Sequence, residues 1–226
     1  MYDYYYLVLV LPAFILSLIA QAMVQGAFNK YQQVRNHRGM TGAEAARKVL
    51  DAHGLYDVSV EHIPGHLNDH YDPRAKVIRL SDATYNSDSV AAVGVACHEA
   101  GHAVQHAQNY APIQFRNALV PVANLGSQLA VPLIIIGFLF DMFSLVRFAI
   151  VFFSLAVLFQ IVTLPVEFNA SRRAIKILQD GYFYEDEVNG VKKVLSAAAL
   201  TYVAAAAVSI AQLLRLIFLS RGRRRN

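Results

Sequence analysis

Four stretches of about twenty residues carry no charge, and nothing else in the 226-residue chain limits its fold so strongly. A helix rises about 1.5 Å per residue, so about 20 apolar residues cross a hydrocarbon core about 30 Å thick. Residues 5–24, 118–140, 148–166 and 194–214 meet that length. The first is led by tyrosines, which suit a headgroup interface, and no basic segment precedes it, so it reads as a retained anchor. The second contains Pro121 and Pro132, which predict a kink or a late start. The fourth is rich in alanine, with Ala204 to Ala207 in a row, and ends at Arg215; a buried soluble helix is its alternative reading. Only 16% of the chain is charged, against about 25% in soluble domains. That excludes a disordered, a nucleic-acid-coating or an ordinary cytosolic protein. The single cysteine excludes an internal disulfide framework and a multi-cysteine zinc ribbon.

Residues 141–147 alone separate the second and third stretches, so those two form a hairpin, and the polar segments flanking it share one side of the membrane. The expected organisation is an anchor helix over 1–24, an extramembrane domain over 25–117 and a transmembrane hairpin over 118–166. A second extramembrane segment over 167–193, a further transmembrane helix over 194–220 and a basic tail over 221–226 complete it. Lys30, Arg35, Arg38 and Arg116 flank the first polar segment, and Arg172, Arg173, Lys176, Lys192 and Lys193 fill the second. The positive-inside rule places both in the cytoplasm. A spanning fourth stretch then puts the arginine-rich tail outside, against the same rule.

Within the first polar segment, Thr41-Gly-Ala-Glu44 matches a capping box and starts a helix that Gly54 closes in the left-handed conformation. Residues 56–63 alternate as a strand does, and residues 76–80 form a second short strand. A long helix is expected over about 88–109, capped by Ser87 or Asp88. That helix contains His98-Glu99-Ala-Gly-His102. Residues four apart on a helix lie about 40° apart around its axis, so the two imidazoles project from one face and offer two corners of a tetrahedral zinc site. Glu99, a quarter turn away, suits a general base acting on a water at the metal.

A catalytic zinc needs a third protein ligand. Gln105 and Gln108 stand where the longer H-E-x-x-H-x-x-G-x-x-H pattern has Gly and His, which excludes that arrangement. A carboxylate from a later helix is the other common solution. Glu167 lies sixty-five residues after His102, directly beyond the third apolar stretch, and the hairpin returns it to the same side. Asp180, Glu185, Asp186 and Glu187 are rivals, in an acidic cluster of the kind usually found on solvated surface. His106 is one turn too far along a straight helix to join the same ion. Cys97 points about 100° away from His98 and reads as a small buried residue.

Residues 68–80, the His98–His102 motif and Glu167-Phe-Asn-Ala-Ser-Arg-Arg-Ala174 together resemble the YugP-type membrane zinc peptidases, and residues 120–124 and 194–202 extend the likeness. More distantly the chain is similar to HtpX-like membrane metalloproteases. The resemblance implies one Zn²⁺ per chain held by His98, His102 and Glu167, with Glu99 as general base. It also implies a cytosol-facing site in a bacterial inner membrane. The HtpX-like pattern has an aspartate four residues after the ligand glutamate to orient a zinc histidine; this chain has Ser171, with Asn169 nearby.

The expected fold is therefore a mainly α integral membrane protein of about four transmembrane helices, with a zincin-like α+β domain whose small β element lies beside the metal helix. Its expected function is zinc-dependent hydrolysis of membrane-protein or juxtamembrane peptide substrates, with the lipid bilayer as a partner and nucleic acid excluded. Arg172 and Arg173 are candidates to stabilise the oxyanion, and residues 76–80 to pair with an extended substrate. Two other classes compete. A non-catalytic zinc-stabilised scaffold would not need Glu99, and a transporter would carry ionisable residues inside its spans, which these stretches lack.

Overall fold

Backbone amides in hydrocarbon must be satisfied within their own segment, which selects helices for the apolar stretches. The computed structural model describes residues 3–180 and 183–222, the Arg221 side chain excepted; the basic tail 221–226 lies outside what it describes at side-chain level. It is mainly helical, and four helices are long and apolar enough to span a membrane: Tyr6–Gln32, Ala111–Leu139, Phe143–Gln179 and Glu185–Ser220. All four run beyond the apolar windows of the sequence. The elements in chain order are α1 (Leu11–Gln32, preceded by π-helical turns over Tyr6–Val10), α2 (Gly42–Ala52), β1 (Ser59–His62), β2 (His70–Asp72) and β3 (Val77–Leu80). Then follow α3 (Val90–Ala107), α4 (Ala111–Leu139), α5 (Phe143–Gln179) and α6 (Glu185–Gly222).

The chain divides into two compact units. One comprises Met1–Gln21, Gln114–Leu164 and Leu200–Asn226. Here α4 passes unbroken through Pro121 and Pro132, and a three-residue turn with Asp141 at φ 52° connects it to α5. Gly126 lets the hairpin close: a Cβ there would sit 2.5 Å from the Phe152 carbonyl oxygen. Arg215, the charge at the edge of the fourth apolar stretch, is paired: its Nη2 lies 2.6 Å from Asp3 Oδ2, and its Nε donates to the same oxygen at 2.7 Å. A paired charge is the form in which an arginine is tolerated near hydrocarbon.

The other unit comprises Ala22–Ile113 and Pro165–Ala199. α2 starts with the expected capping box: Glu44 N donates to Thr41 Oγ1 and Thr41 N to Glu44 Oε2. Gly54 follows α2 at φ 71°. The sheet has the order β1-β3-β2, with β1 parallel and β2 antiparallel to β3, registers Ser59↔Val77 and Tyr71↔Ile78. β3 is thus hydrogen-bonded on both sides, and residues 76–80 have no free edge to offer a substrate; the free edges belong to β1 and β2. The turn between β2 and β3 is an Asx-type turn, with Asp72 Oδ1 accepting from Arg74 N and Ala75 N.

α3 is the centre of this unit. Its Val93, Ala96, Cys97, Ala100 and Val104 are buried among Val49 and Leu50 of α2, Ile78 and Leu80 of β3, Ala174 and Leu178 of α5, and Val191 of α6. Burial pushes the Cys97 thiol up to about 12, so it stays protonated and acts as a small apolar group. The helix cap is Ser89, whose Oγ accepts from Ala92 N at 3.1 Å, in place of the expected Ser87 or Asp88. Asp88 is held by Asn36 N on its carbonyl, and Val90 N donates to Val34 O, so the chain stays extended one residue longer. Ser87 Oγ instead donates to Ser89 Oγ.

Candidate metal centre

α3 and α5 approach closely because both present small residues. A Cβ on Gly101 would stand 2.9 Å from the carbonyl oxygen of Ala170 and 3.3 Å from its Cα. Glu167 precedes Ala170 by three residues in the interior of α5 and is 4% exposed, so it is no solvated helix start. Helix periodicity sets it on the same side as Ala170, facing α3.

His98, His102 and Glu167 meet there. The two Nε2 atoms are 3.1 Å apart, and Glu167 Oε2 lies 3.3 Å from His98 Nε2 and 3.5 Å from His102 Nε2. The imidazoles stand perpendicular, at an interplanar angle of 87°. Donors bound at 2.0–2.1 Å to a tetrahedral ion are separated by about 3.3 Å. Two imidazole nitrogens and one carboxylate oxygen at 3.1–3.5 Å therefore match the spacing zinc demands, and the donor set suits it. Among the described residues this is the one group of three or more His, Cys, Asp or Glu side chains close enough to hold a metal ion.

The other ring nitrogens are engaged too. Ser171 Oγ lies 3.1 Å from His98 Nδ1. Gln105 Oε1 lies 3.0 Å from His102 Nδ1, while Gln105 Nε2 donates to Val166 O at 2.8 Å and Asn169 Oδ1 at 2.9 Å. In the sequence Gln105 stands out only as a departure from a longer motif. The available signal was a polar residue three positions after His102, on the same face of an otherwise apolar helix. Burial would push His102 down, but the Glu167 hydrogen bond and the charges of Glu99 and Glu167 outweigh it and hold its pKa up.

Glu99 is buried next to this group, and burial pushes its carboxyl above the ordinary carboxylate range despite the nearby imidazoles. No described residue hydrogen-bonds its carboxylate. Arg173 donates from Nε to Asn169 Oδ1 and from Nη1 to Gln108 Oε1, and Arg172 is exposed. His106 is exposed, its ring edge-on to Tyr71 at 6.2 Å. Of the rival carboxylates, Glu185 and Asp186 are exposed in the first turn of α6. Glu187 is buried and accepts from His37 N and Tyr184 N, so the acidic cluster is not uniformly solvated as its composition suggests.

The family described as "Putative neutral zinc metallopeptidase" matches residues 6–221. Among curated proteins, the chain is 49% identical over 215 residues to the "Putative membrane protease YugP" of Bacillus subtilis (strain 168), covering 95% of this chain and 96% of that one. No solved structure matches it significantly. With a metal-fitting His-His-Glu group and four helices long enough to span a bilayer, the chain belongs to this family of membrane zinc metallopeptidases.

Proposed function

We propose that the chain is a zinc-dependent endopeptidase of a bacterial inner membrane, in which His98, His102 and Glu167 hold the ion and Glu99 is the general base. The observation that carries this is the 3.1–3.5 Å spacing of the three donor atoms, with the buried carboxylate of Glu99 beside them. Zinc supplies Lewis-acid polarisation of the scissile carbonyl and lowers the pKa of water to about 7. Glu99 takes a proton from the attacking water. When the peptide C–N bond breaks, Glu99 returns that proton to the leaving amine, which departs neutral while the acyl half keeps the water oxygen. Its raised pKa suits both directions of transfer. Ser171 and Gln105 hold the imidazoles from behind.

The substrate is a membrane protein or an extended juxtamembrane peptide. With β3 closed on both sides, such a peptide pairs along the free edge of β2, whose Tyr71 lies against His106, one turn beyond His102. The basic residues Arg172, Lys176, Lys192 and Lys193 favour the cytoplasmic side for this face.

The test is elemental analysis of detergent-purified protein together with a peptidase assay. The native chain should carry about one zinc; His98→Ala and Glu167→Ala should lose it. Glu99→Gln should keep zinc and lose about 10²–10⁴-fold in turnover. Full turnover in Glu99→Gln would remove the general base. A native chain that takes up no zinc would remove the enzyme.

A further inference from the structure

The side chain of Gln105 touches both halves of the proposed centre, and its partners leave it one orientation. Val166 O is an acceptor only, so the Gln105 group facing it at 2.8 Å must be the amide nitrogen. Turned over, the amide would set oxygen against oxygen there and again at Asn169 Oδ1, which already accepts from Arg173 Nε. Gln105 Oε1 therefore faces His102 Nδ1 at 3.0 Å. An amide oxygen has no hydrogen, so Nδ1 must carry one. A neutral His102 then keeps its lone pair on Nε2, the atom aimed at His98 and Glu167. The same amide grips α5 at Val166 and Asn169, the residues before and two beyond Glu167, and Gln105 itself is fully buried.

We propose that Gln105 is a positioning residue that sets the tautomer of His102 and, through the same amide, the placement of Glu167. It links a ligand on α3 to the ligand on α5, in a role that a carboxylate fills at many histidine metal sites. In its absence, Glu167 at 3.5 Å from Nε2 would draw the proton of a neutral His102 to that nitrogen and occupy the metal-facing lone pair. The proposal rests on the ligand set above, and its test separates the two.

Gln105→Met conserves length and shape while removing both ends of the hydrogen-bonding amide. In metal-free chain labelled with ¹⁵N-histidine, long-range ¹H–¹⁵N correlation at pH 9 should place the proton of neutral His102 on Nδ1. In Gln105→Met it should move largely to Nε2, and zinc affinity should fall about 10–100-fold while far-UV circular dichroism is unchanged. A packing role alone would alter neither the tautomer nor its dependence on the amide. Native chain with its proton on Nε2, or Gln105→Met with native tautomer and zinc affinity within threefold, overturns the proposal. If Gln105→Met does not fold, the native spectrum alone decides. If the native chain binds no zinc, the ligand reading fails, and the tautomer still judges Gln105.

Discussion

Replacing Gly101 by alanine tests whether the separation of α3 and α5 governs the metal centre. The added Cβ would lie 2.9 Å from Ala170 O and 3.3 Å from Ala170 Cα, about 0.5 Å inside ordinary contact at 3.4 Å. The opposing atoms are backbone, so no rotamer change relieves the clash and the helices must separate by a comparable amount. Glu167 sits three residues from the contact on the same helix, and metal-ligand distances tolerate only about 0.2 Å. Zinc affinity should therefore fall about 10–100-fold, with an overpacking cost of about 1–3 kcal/mol in stability. Gly94→Ala is the control. Its Cβ meets Val191 Cγ1, a side-chain methyl, at 3.0 Å on the α6 side. It should lower stability by a similar or smaller amount and leave zinc affinity unchanged. Competition titration against a chromophoric chelator reads both variants. Equal zinc affinity in Gly101→Ala and native protein, within threefold, would refute the claim that this close approach sets the ligand spacing.

Three other outcomes are expected. Glu99 and His102 both have raised pKa values in the metal-free fold, so each contributes stability below its unfolded value, near 4.5 and 6.5, that is lost as pH rises through the folded value. Chelated protein should melt lower at pH 9 than at pH 5, while zinc affinity runs oppositely and weakens about tenfold per pH unit below the folded pKa of His102. Glu187→Ala leaves His37 N–H and Tyr184 N–H without their carboxylate acceptor, at 2.7 and 2.8 Å in the native fold, and should cost about 2–4 kcal/mol by denaturation. Ser171→Asp puts a charge behind His98 Nδ1, 3.1 Å from the serine oxygen, and should tighten zinc about tenfold in the same chelator titration.

Much of the site was readable because its parts are local or periodic. The His98–His102 spacing needs only a helix, Thr41 and Glu44 stand three residues apart, and Gly54 marks a left-handed closure. Glu167 was picked out by the hairpin that precedes it, a constraint of topology and not of local chemistry. Other features had no local trace. β2 is three residues of polar sequence, His70–Asp72, without the alternation that reveals a strand; pairing with β3 creates it. Its presence moves β3 from the edge to the middle of the sheet and so changes which strands lie at the edges. The Ser89 cap is displaced by hydrogen bonds from residues 34 and 36, more than fifty positions away. The α5 partners of Gln105 are 61 and 64 residues distant, and the Glu187 carboxylate accepts from His37 N, 150 residues before it.

The neutral partners behind the two imidazoles have a consequence for how such a centre holds its ion. With an aspartate behind one histidine, a zinc site of two histidines and one glutamate is formally neutral. With Ser171 and Gln105 in those places it keeps one positive charge. Less basic imidazoles donate less to the metal, so affinity must come from elsewhere. The structure offers a geometric source: donor atoms already at 3.1–3.5 Å, on two helices locked by the Gly101–Ala170 approach and by the buried Gln105 amide. Little reorganisation remains to be done on binding. In the proposed centre that residual charge would favour ionisation of a water at the ion, and Glu99, whose carboxyl burial holds above the ordinary range, would take its proton. On the proposed function, rigidity would serve retention of the ion and uncompensated charge the activation of water, and the close packing of α3 on α5 would let the second be kept without losing the first.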